Sequence, residues 1–245
     1  MARVQAHQSV HTETLTVDGL TVQRGGLMVC HEVSLRVPAG EITVLLGANG
    51  AGKSSLLDGV AGLLPASAGT IHLGAQRIDG WPAHRRAAAG IGYVEQGRTV
   101  FGQLTVAQNI AVVDRSRDAF DRACALFPQL AERRDVRAGV LSGGEQQMLV
   151  IARALATRPR FLLVDELSLG LAPQLAATLI DALAELAAAG TGVLLVEQFA
   201  ELALRVGTSA YVLQRGRVVL HESCAVLRAD PARLGSAYLF GDHAE

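Results

Sequence analysis

Gly47-Ala48-Asn49-Gly50-Ala51-Gly52-Lys53-Ser54 has the spacing G-x-x-x-x-G-K-[ST]. Glycines let successive backbone N–H groups turn inward around phosphate oxygens, and a helix opening at Lys53 adds the positive end of its dipole. Lys53 would place a compact charge on β- and γ-phosphates, while the Ser54 hydroxyl would ligate Mg²⁺. Lys53 is also the single lysine among 22 Lys plus Arg, and an arginine fork does not replace an ammonium in so tight a cradle. Composition alone yields the bare pattern in about 1% of chains of this length. The bland alternative is a glycine-rich turn before a helix; the apolar strand Glu41–Leu46 ahead of it and helical spacing over 53–61 favour phosphate binding. Gly47, Ala48, Asn49, Gly50, Ala51, Gly52, Lys53, Ser54 and Ser55 are therefore the candidate nucleotide ligands.

A second apolar strand, Phe161-Leu162-Leu163-Val164, runs directly into Asp165 and Glu166. The carboxyl ends of parallel strands form the ligand crevice, so Asp165 is expected beside the Mg²⁺ held by Ser54 and Glu166 beside the attacking water. Without the phosphate loop, a solvated strand end would explain these carboxylates equally well. A third segment, Leu141-Ser142-Gly143-Gly144-Glu145-Gln146-Gln147, opens an amphipathic helix with the capping box Ser142-x-x-Glu145. Two glycines in its first turn cost roughly 0.5–1 kcal/mol each relative to alanine, which suggests a backbone kept bare for a ligand.

These residues need a scaffold of buried strands alternating with helices. Strand patterns recur at 15–17, 33–37, 41–46, 69–73, 91–94, 161–164, 192–196, 211–213 and 217–220. Helical spacing covers 53–61, 106–113, 118–126, 143–157, 173–189 and 199–206. The alternation predicts right-handed βαβ units and a parallel sheet, with an antiparallel start and a helical stretch from about 97. The 245 residues are 50% hydrophobic and 18% charged, which excludes global disorder. A net charge of -1 without a long basic tract argues against a nucleic-acid partner, and Arg85-Arg86 and Arg133-Arg134 read as solvated helix faces. Cys30, Cys124 and Cys224 are too widely spaced for a disulfide framework or zinc site, pointing to a reducing compartment. No run approaches the length of a membrane span, and residues 1–14 read as a disordered leader without signal-peptide character. Trp81 reads as a loop or core anchor, and His84 and His221 have no ligand-spaced partners.

In order and spacing, Gly47–Ser54, Leu141–Gln147 and Phe161–Glu166 resemble the ATP-binding cassette (ABC) transporter ATPases, over about 15–220. The resemblance implies an α/β fold: a phosphate-loop (RecA-like) ATPase core with an antiparallel β subdomain and an inserted helical subdomain at about 97–157. It implies one domain over 15–245, with a C-terminal extension at about 221–245. The implied cofactors are ATP and Mg²⁺. Ser142, Gly143, Gly144 and Glu145 match the signature motif, which in the family binds ATP held by the opposite subunit, so a homodimer or a heterodimer with a sister ATPase is implied. Tyr93-Val94-Glu95-Gln96 resembles the glutamine loop, making Gln96 a metal and water contact, and helical residues beyond Gly97 would receive a coupling helix. Val196-Glu197-Gln198 matches the switch region, with Gln198 as a catalytic donor to the γ-phosphate.

Gly97-Arg98, Val100-Phe101, Ser168–Pro173 and Val196–Gln198 further resemble the importers of branched-chain amino acids, with urea and short-chain amide importers close. That branch implies two membrane permease subunits, an extracytoplasmic substrate-binding protein, and a peripheral position on the cytoplasmic face of the inner membrane. The chain departs from the family pattern at four places. Arg24 stands where an aromatic usually stacks on adenine, and a guanidinium can stack on a base as well. Gln198 replaces histidine, Leu167 replaces the proline after the glutamate, and Ala172 replaces an aspartate. A nucleotide-binding partner subunit with weak hydrolysis is the competing reading; a soluble enzyme acting on DNA or in translation is weakened by the single cassette.

One lysine makes a direct test available. An amine-acylating reagent has only Lys53 and the N-terminal amine to modify. Saturating ATP should suppress Lys53 labelling, read by peptide mass spectrometry; equal labelling with and without ATP contradicts the assignment.

Overall fold

The computed structural model describes residues 13–97 and 99–239. Most of the expected leader, residues 1–12, lies outside the described residues, as do Arg98 and 240–245 of the expected extension. The chain opens with the hairpin β1 (Thr14–Arg24) and β2 (Leu27–Pro38), then β3 (Ile42–Leu46), α1 (Lys53–Ala61), β4 (Ala66–Leu73), β5 (Gln76–Arg77), α2 (Ala83–Ala88) and β6 (Ile91–Val94). The helical stretch follows as α3 (Val106–Ala111), α4 (Ala119–Cys124), α5 (Pro128–Ala131), a 3₁₀ turn at Ala138–Val140 and α6 (Gly143–Ala156). The remainder is β7 (Phe161–Asp165), α7 (Pro173–Ala188), β8 (Gly192–Glu197), α8 (Ala200–Val206), β9 (Ser209–Gln214), β10 (Arg217–Ser223), α9 (Cys224–Ala229) and α10 (Pro231–Leu239).

Two sheets result, one antiparallel in the order β2-β1-β4-β5 and one of six strands in the order β10-β9-β3-β8-β7-β6. In the larger sheet β9, β3, β8, β7 and β6 run parallel, and β10 returns antiparallel to β9. The central strands are buried on both faces, as covered parallel sheets require. Ile42, Val44, Leu162, Val164, Val193 and Leu195 pack towards the helical side, while Leu45, Phe161, Leu163, Leu194 and Val196 pack towards α1 and the antiparallel sheet. The strict alternation divides one sheet between two cores. It also sends β3, β8, β7 and β6 to a common carboxyl edge, where the chemistry-bearing residues leave the sheet.

The helical stretch is built by local capping and one buried amide. Thr105 and Gln108 form a reciprocal capping box on α3. Asn109, fully buried, accepts from the Phe101 N–H and donates to the Phe101, Leu104 and Thr105 carbonyls, so it fixes the 101–105 loop. No apolar periodicity announces that role.

Several expectations need correction. β1 begins at Thr14, and Glu13 pairs with Arg160, so the end of the expected leader is ordered. The first hairpin runs through 18–32, where Gly19 and two further glycines broke the alternation, and the short helices α2, α5, α9 and α10 carried too little periodicity to be read. Arg85 is exposed as expected, lying 3.9 Å over the Trp81 ring. Arg86 is not a solvated residue: it is 3% exposed and donates to the carbonyls of Gly59 and Val60 (both 2.8 Å), Trp81 (2.9 Å) and Asp79 (2.6 Å). Two of these are carbonyls in the last turn of α1, where helix pairing runs out; the Gly59 carbonyl also accepts from the Gly62 N–H at 3.3 Å. Burial pushes the Arg86 pKa down.

Because Arg86 serves four carbonyls at once, Arg86→Ala should cost about 3 kcal/mol of stability through the buried acceptors left unpaired. Arg86→Lys, a point charge without the fork, should recover little of it. Urea denaturation midpoints check both.

Candidate functional site

The loop between β3 and α1 is shaped by close backbone approaches. A Cβ at Gly47 would lie 2.4 Å from the Leu213 carbonyl oxygen, and one at Gly52 would lie 2.5 Å from that of Val29, with Gly52 at φ +104°. α1 then starts without a side-chain cap and without an acidic residue in its first turn, leaving its N–H groups for an anion. Lys53 is 4% exposed; its ammonium donates to the carbonyls of Gly47 (2.9 Å) and Ala48 (3.2 Å) and sits 3.2 Å from Glu166 Oε1. A cavity of about 450 Å³ opens above, lined by Asn49, Gly50, Lys53, Ser54, Glu166 and Gln198 among others. Ser55, Gln96 and Arg24 also reach it.

Asp165 ends β7 almost fully buried. Burial pushes its carboxyl pKa up, against a hydrogen bond with the Ser54 side chain that favours the charged form. Its Oδ1 is buried with no hydrogen-bond partner. A buried, orphaned carboxylate oxygen beside a hydroxyl is a donor set that suits a hard divalent cation, and it fits the expected Mg²⁺. The Gln96 amide nitrogen donates to Glu166 Oε2 at 2.6 Å, so here Gln96 meets the metal region through Glu166.

Glu166 is 8% exposed, and its backbone is left-handed at φ +45°, a strained state for a residue with a Cβ. Its N–H donates to the Val196 carbonyl at 3.0 Å, and its two carboxylate oxygens meet Lys53 and Gln96. Arg24 is half exposed and forms an ion pair with Asp58 Oδ2 at 2.6 Å; Asp58 Oδ1 accepts from the Tyr93 hydroxyl at 3.1 Å. Arg24 therefore borders the cavity from a position fixed by α1. Neither Asp58 nor the Tyr93 hydroxyl was legible as part of the site, because both act through partners distant in sequence.

Ser142, Gly143, Gly144 and Glu145 do not line this cavity. They form the α6 capping box, with the Ser142 N–H donating to Glu145 Oε2 at 2.8 Å and the Glu145 N–H donating to Ser142 Oγ at 3.3 Å. A Cβ at Gly144 would lie 2.1 Å from Leu175 Cδ2, so packing against α7 also favours a small residue there, beside the ligand argument for the two glycines. Glu197 is the residue that sequence reasoning passed over. It is 2% exposed at the end of β8, accepts from the Ser168 N–H and hydroxyl, and has its pKa raised mainly by burial. Its signal, an apolar strand ending in a carboxylate, was the same one that marked Asp165.

The arrangement combines an anion cradle, a buried carboxylate suited to a metal, and a second carboxylate flanked by an ammonium and an amide. It can bind a nucleotide's phosphates and direct water at the terminal one. Residues 30–168 match the model of the family described as ABC transporter. The chain is 42% identical over 233 residues to the high-affinity branched-chain amino acid transport ATP-binding protein BraG of Pseudomonas aeruginosa, covering 93% of this chain and 100% of that one. It is 37% identical over 216 residues to the lipopolysaccharide export system ATP-binding protein LptB of Escherichia coli strain K12, covering 85% and 90%. In fold it resembles the crystal structure of a nucleotide-free ATP-binding cassette from an ABC transporter, with a TM-score of 0.82 at 24% identity over 93% and 99% of the two chains.

Burial sets the sign of one prediction. A carboxylate whose folded pKa is raised contributes stability present below its unfolded pKa and lost as pH rises through the folded value. Asp165→Asn should therefore raise the thermal midpoint at pH 7.5, measured without nucleotide or magnesium, and the gain should shrink as pH falls towards the ordinary carboxylate range. An unchanged or lower midpoint contradicts the burial argument.

Proposed function

The chain belongs to the ABC transporter family of ATP-hydrolysing subunits, and from that premise we propose that it drives a branched-chain amino acid importer. The observation that carries the hydrolytic part is the meeting of Lys53, Glu166 and Gln96 over the phosphate loop. The 42% identity to BraG over its whole length supports the substrate class, ahead of the 37% identity to LptB.

On this reading the 47–52 loop and the first N–H groups of α1 hold the phosphates, and Arg24 borders the base. Ser54 and Asp165 hold Mg²⁺, with Gln96 completing the site. Magnesium, when bound, neutralises charge on the β- and γ-phosphates. In the described geometry Lys53 neutralises Glu166; phosphate oxygens compete for that ammonium and leave the Glu166 carboxylate free to accept a proton from water. The water oxygen then attacks the γ-phosphorus and ADP leaves, with the Gln198 amide placed to donate to the γ-phosphate. Ser142, Gly143, Gly144 and Glu145 lie off their own cavity, which supports their serving the nucleotide of a second subunit, identical or a sister ATPase.

Two permeases would dock at the groove between β6 and α6, where Tyr93, Phe101, Val113 and Arg153 form the walls, with the extracytoplasmic binding protein reached only through them. No helix among the described residues is long and apolar enough to cross a membrane, consistent with a peripheral subunit held at the cytoplasmic face by its permeases. The proposed domain division is one cassette over 15–245, with its helical part at about 97–157 and a C-terminal extension at about 221–245, its first strand opening one residue earlier at Thr14. Arg24, Gln198 and Ala172 favour a second reading, a partner subunit with weak hydrolysis; a urea or amide importer is the alternative substrate class.

Glu166→Gln should slow steady-state phosphate release by about 100-fold or more and trap an ATP-dependent dimer visible by light scattering. A monomer with undiminished turnover contradicts the proposal. Wild-type phosphate release, alone and with co-purified permeases, separates the strong from the weak hydrolase, and leucine against urea uptake decides the substrate class.

A further inference from the structure

Glu166 is held in a conformation that its own chain does not favour. A left-handed backbone costs a residue with a Cβ about 1 kcal/mol or more and persists only where the surroundings over-determine it. Before Glu166, the restraint is the strand itself: Asp165 pairs with Val196, and the Glu166 N–H makes the last rung to the Val196 carbonyl. After Glu166 the strand ladder is finished, and Leu167 carries no ring to restrict the backbone.

The restraint there comes from the neighbouring strand. One residue beyond Val196, the Glu197 carboxylate grips the turn with both oxygens, Oε1 accepting from the Ser168 N–H at 3.1 Å and Oε2 from the Ser168 hydroxyl at 2.6 Å. The Leu167 backbone favours the same carboxylate. Glu197 is 2% exposed and Leu167 is 1% exposed, so the accepting carboxylate is shielded from water, with Ser168 itself half-buried. Two consecutive residues of β8 thus clamp the chain on both sides of Glu166: the Val196 carbonyl in front and the Glu197 side chain behind.

We infer that Glu197 is a positioning residue for hydrolysis, its buried carboxylate holding the turn at Ser168 so that the Glu166 side chain stays aimed into the nucleotide cavity. The inference rests on the reading of Glu166 as the residue that accepts the water proton. Glu197 also sets Leu169, which borders the same cavity, so one carboxylate orders both the catalytic side chain and the cavity wall beside it. Neither Glu197 nor Ser168 lines the cavity, so the effect must fall on geometry and not on nucleotide contact.

The test compares Glu197→Ala, Glu197→Gln and Ser168→Ala with the wild-type protein, measuring kcat and KM for ATP hydrolysis and the equilibrium Kd for ATP. Loss of the clamp should lower kcat by about 10- to 100-fold in Glu197→Ala, the scale on which small misplacements act. The ATP Kd should stay within about twofold, because no phosphate contact is lost. Ser168→Ala, which keeps the N–H donor, should lose less, and adding it to Glu197→Ala should cost nothing further, since both remove one interaction. If Glu197→Ala does not fold, Glu197→Gln and Ser168→Ala carry the comparison. A kcat unchanged in the folded variants overturns the inference, as does an equal loss of ATP affinity. Glu166→Gln runs beside them: a fast Glu166→Gln removes the underlying reading and this inference with it, whereas a slow one beside unimpaired Glu197 and Ser168 variants overturns this inference alone.

Discussion

The site depends on one buried ion pair, between the Lys53 ammonium and the Glu166 carboxylate at 3.2 Å. It joins the loop after β3 to the end of β7, two strands separated by β8 in the sheet. Both side chains are nearly inaccessible, so each loses most of its hydration, and mutual attraction alone does not offset that loss. The remaining valences are therefore filled: Lys53 by the Gly47 and Ala48 carbonyls, Glu166 by the Gln96 amide. Such an arrangement contributes little net stability, yet it keeps an ammonium ready for an incoming anion and a carboxylate ready to be uncovered.

The sheet makes that pair possible. Parallel strands buried on both faces end at one edge, and the order β3-β8-β7-β6 brings together the phosphate loop, Gln198, Asp165-Glu166 and Gln96. The same burial raises the pKa of Asp165 and Glu197, so the protein holds two carboxylates in places that disfavour their charge. Asp165 has a hydroxyl and an unpartnered oxygen directed to a cation's chemistry; Glu197 has the Ser168 donors and serves the backbone instead. Two strands ending in acids thus take different roles because of what each end faces.

The glycine-rich start of α6 has a different status from the phosphate loop. Its capping box is complete within the chain, and Gly144 packs closely against Leu175, so local structure is satisfied without nucleotide. It lies apart from the cavity of its own chain, with Ser142 exposed, which supports the proposal that it serves a second subunit's nucleotide.

The residues 42–61 and 161–166 were legible from sequence because their meaning is local: an apolar run, a turn that only glycine permits, a helix start, a strand ending in acid. The helix over 143–156 and the strand over 192–197 followed from periodicity for the same reason. Short helices such as α2 and α5 were not, since one or two turns carry no resolvable period. Arg86 was misread because a basic pair on a helix looks solvated until the fold brings four carbonyls around one member of it. Arg24 with Asp58, Asn109 with its loop, and Glu197 with Ser168 depend on partners chosen by packing. The sequence by itself determined that this chain carries a phosphate loop and which residues form it, because backbone geometry and charge there are fixed within a few residues. Only the tertiary structure decided the strand order that assembles the site and the buried partners that aim it, because burial and long-range hydrogen bonds exist only once distant segments have met.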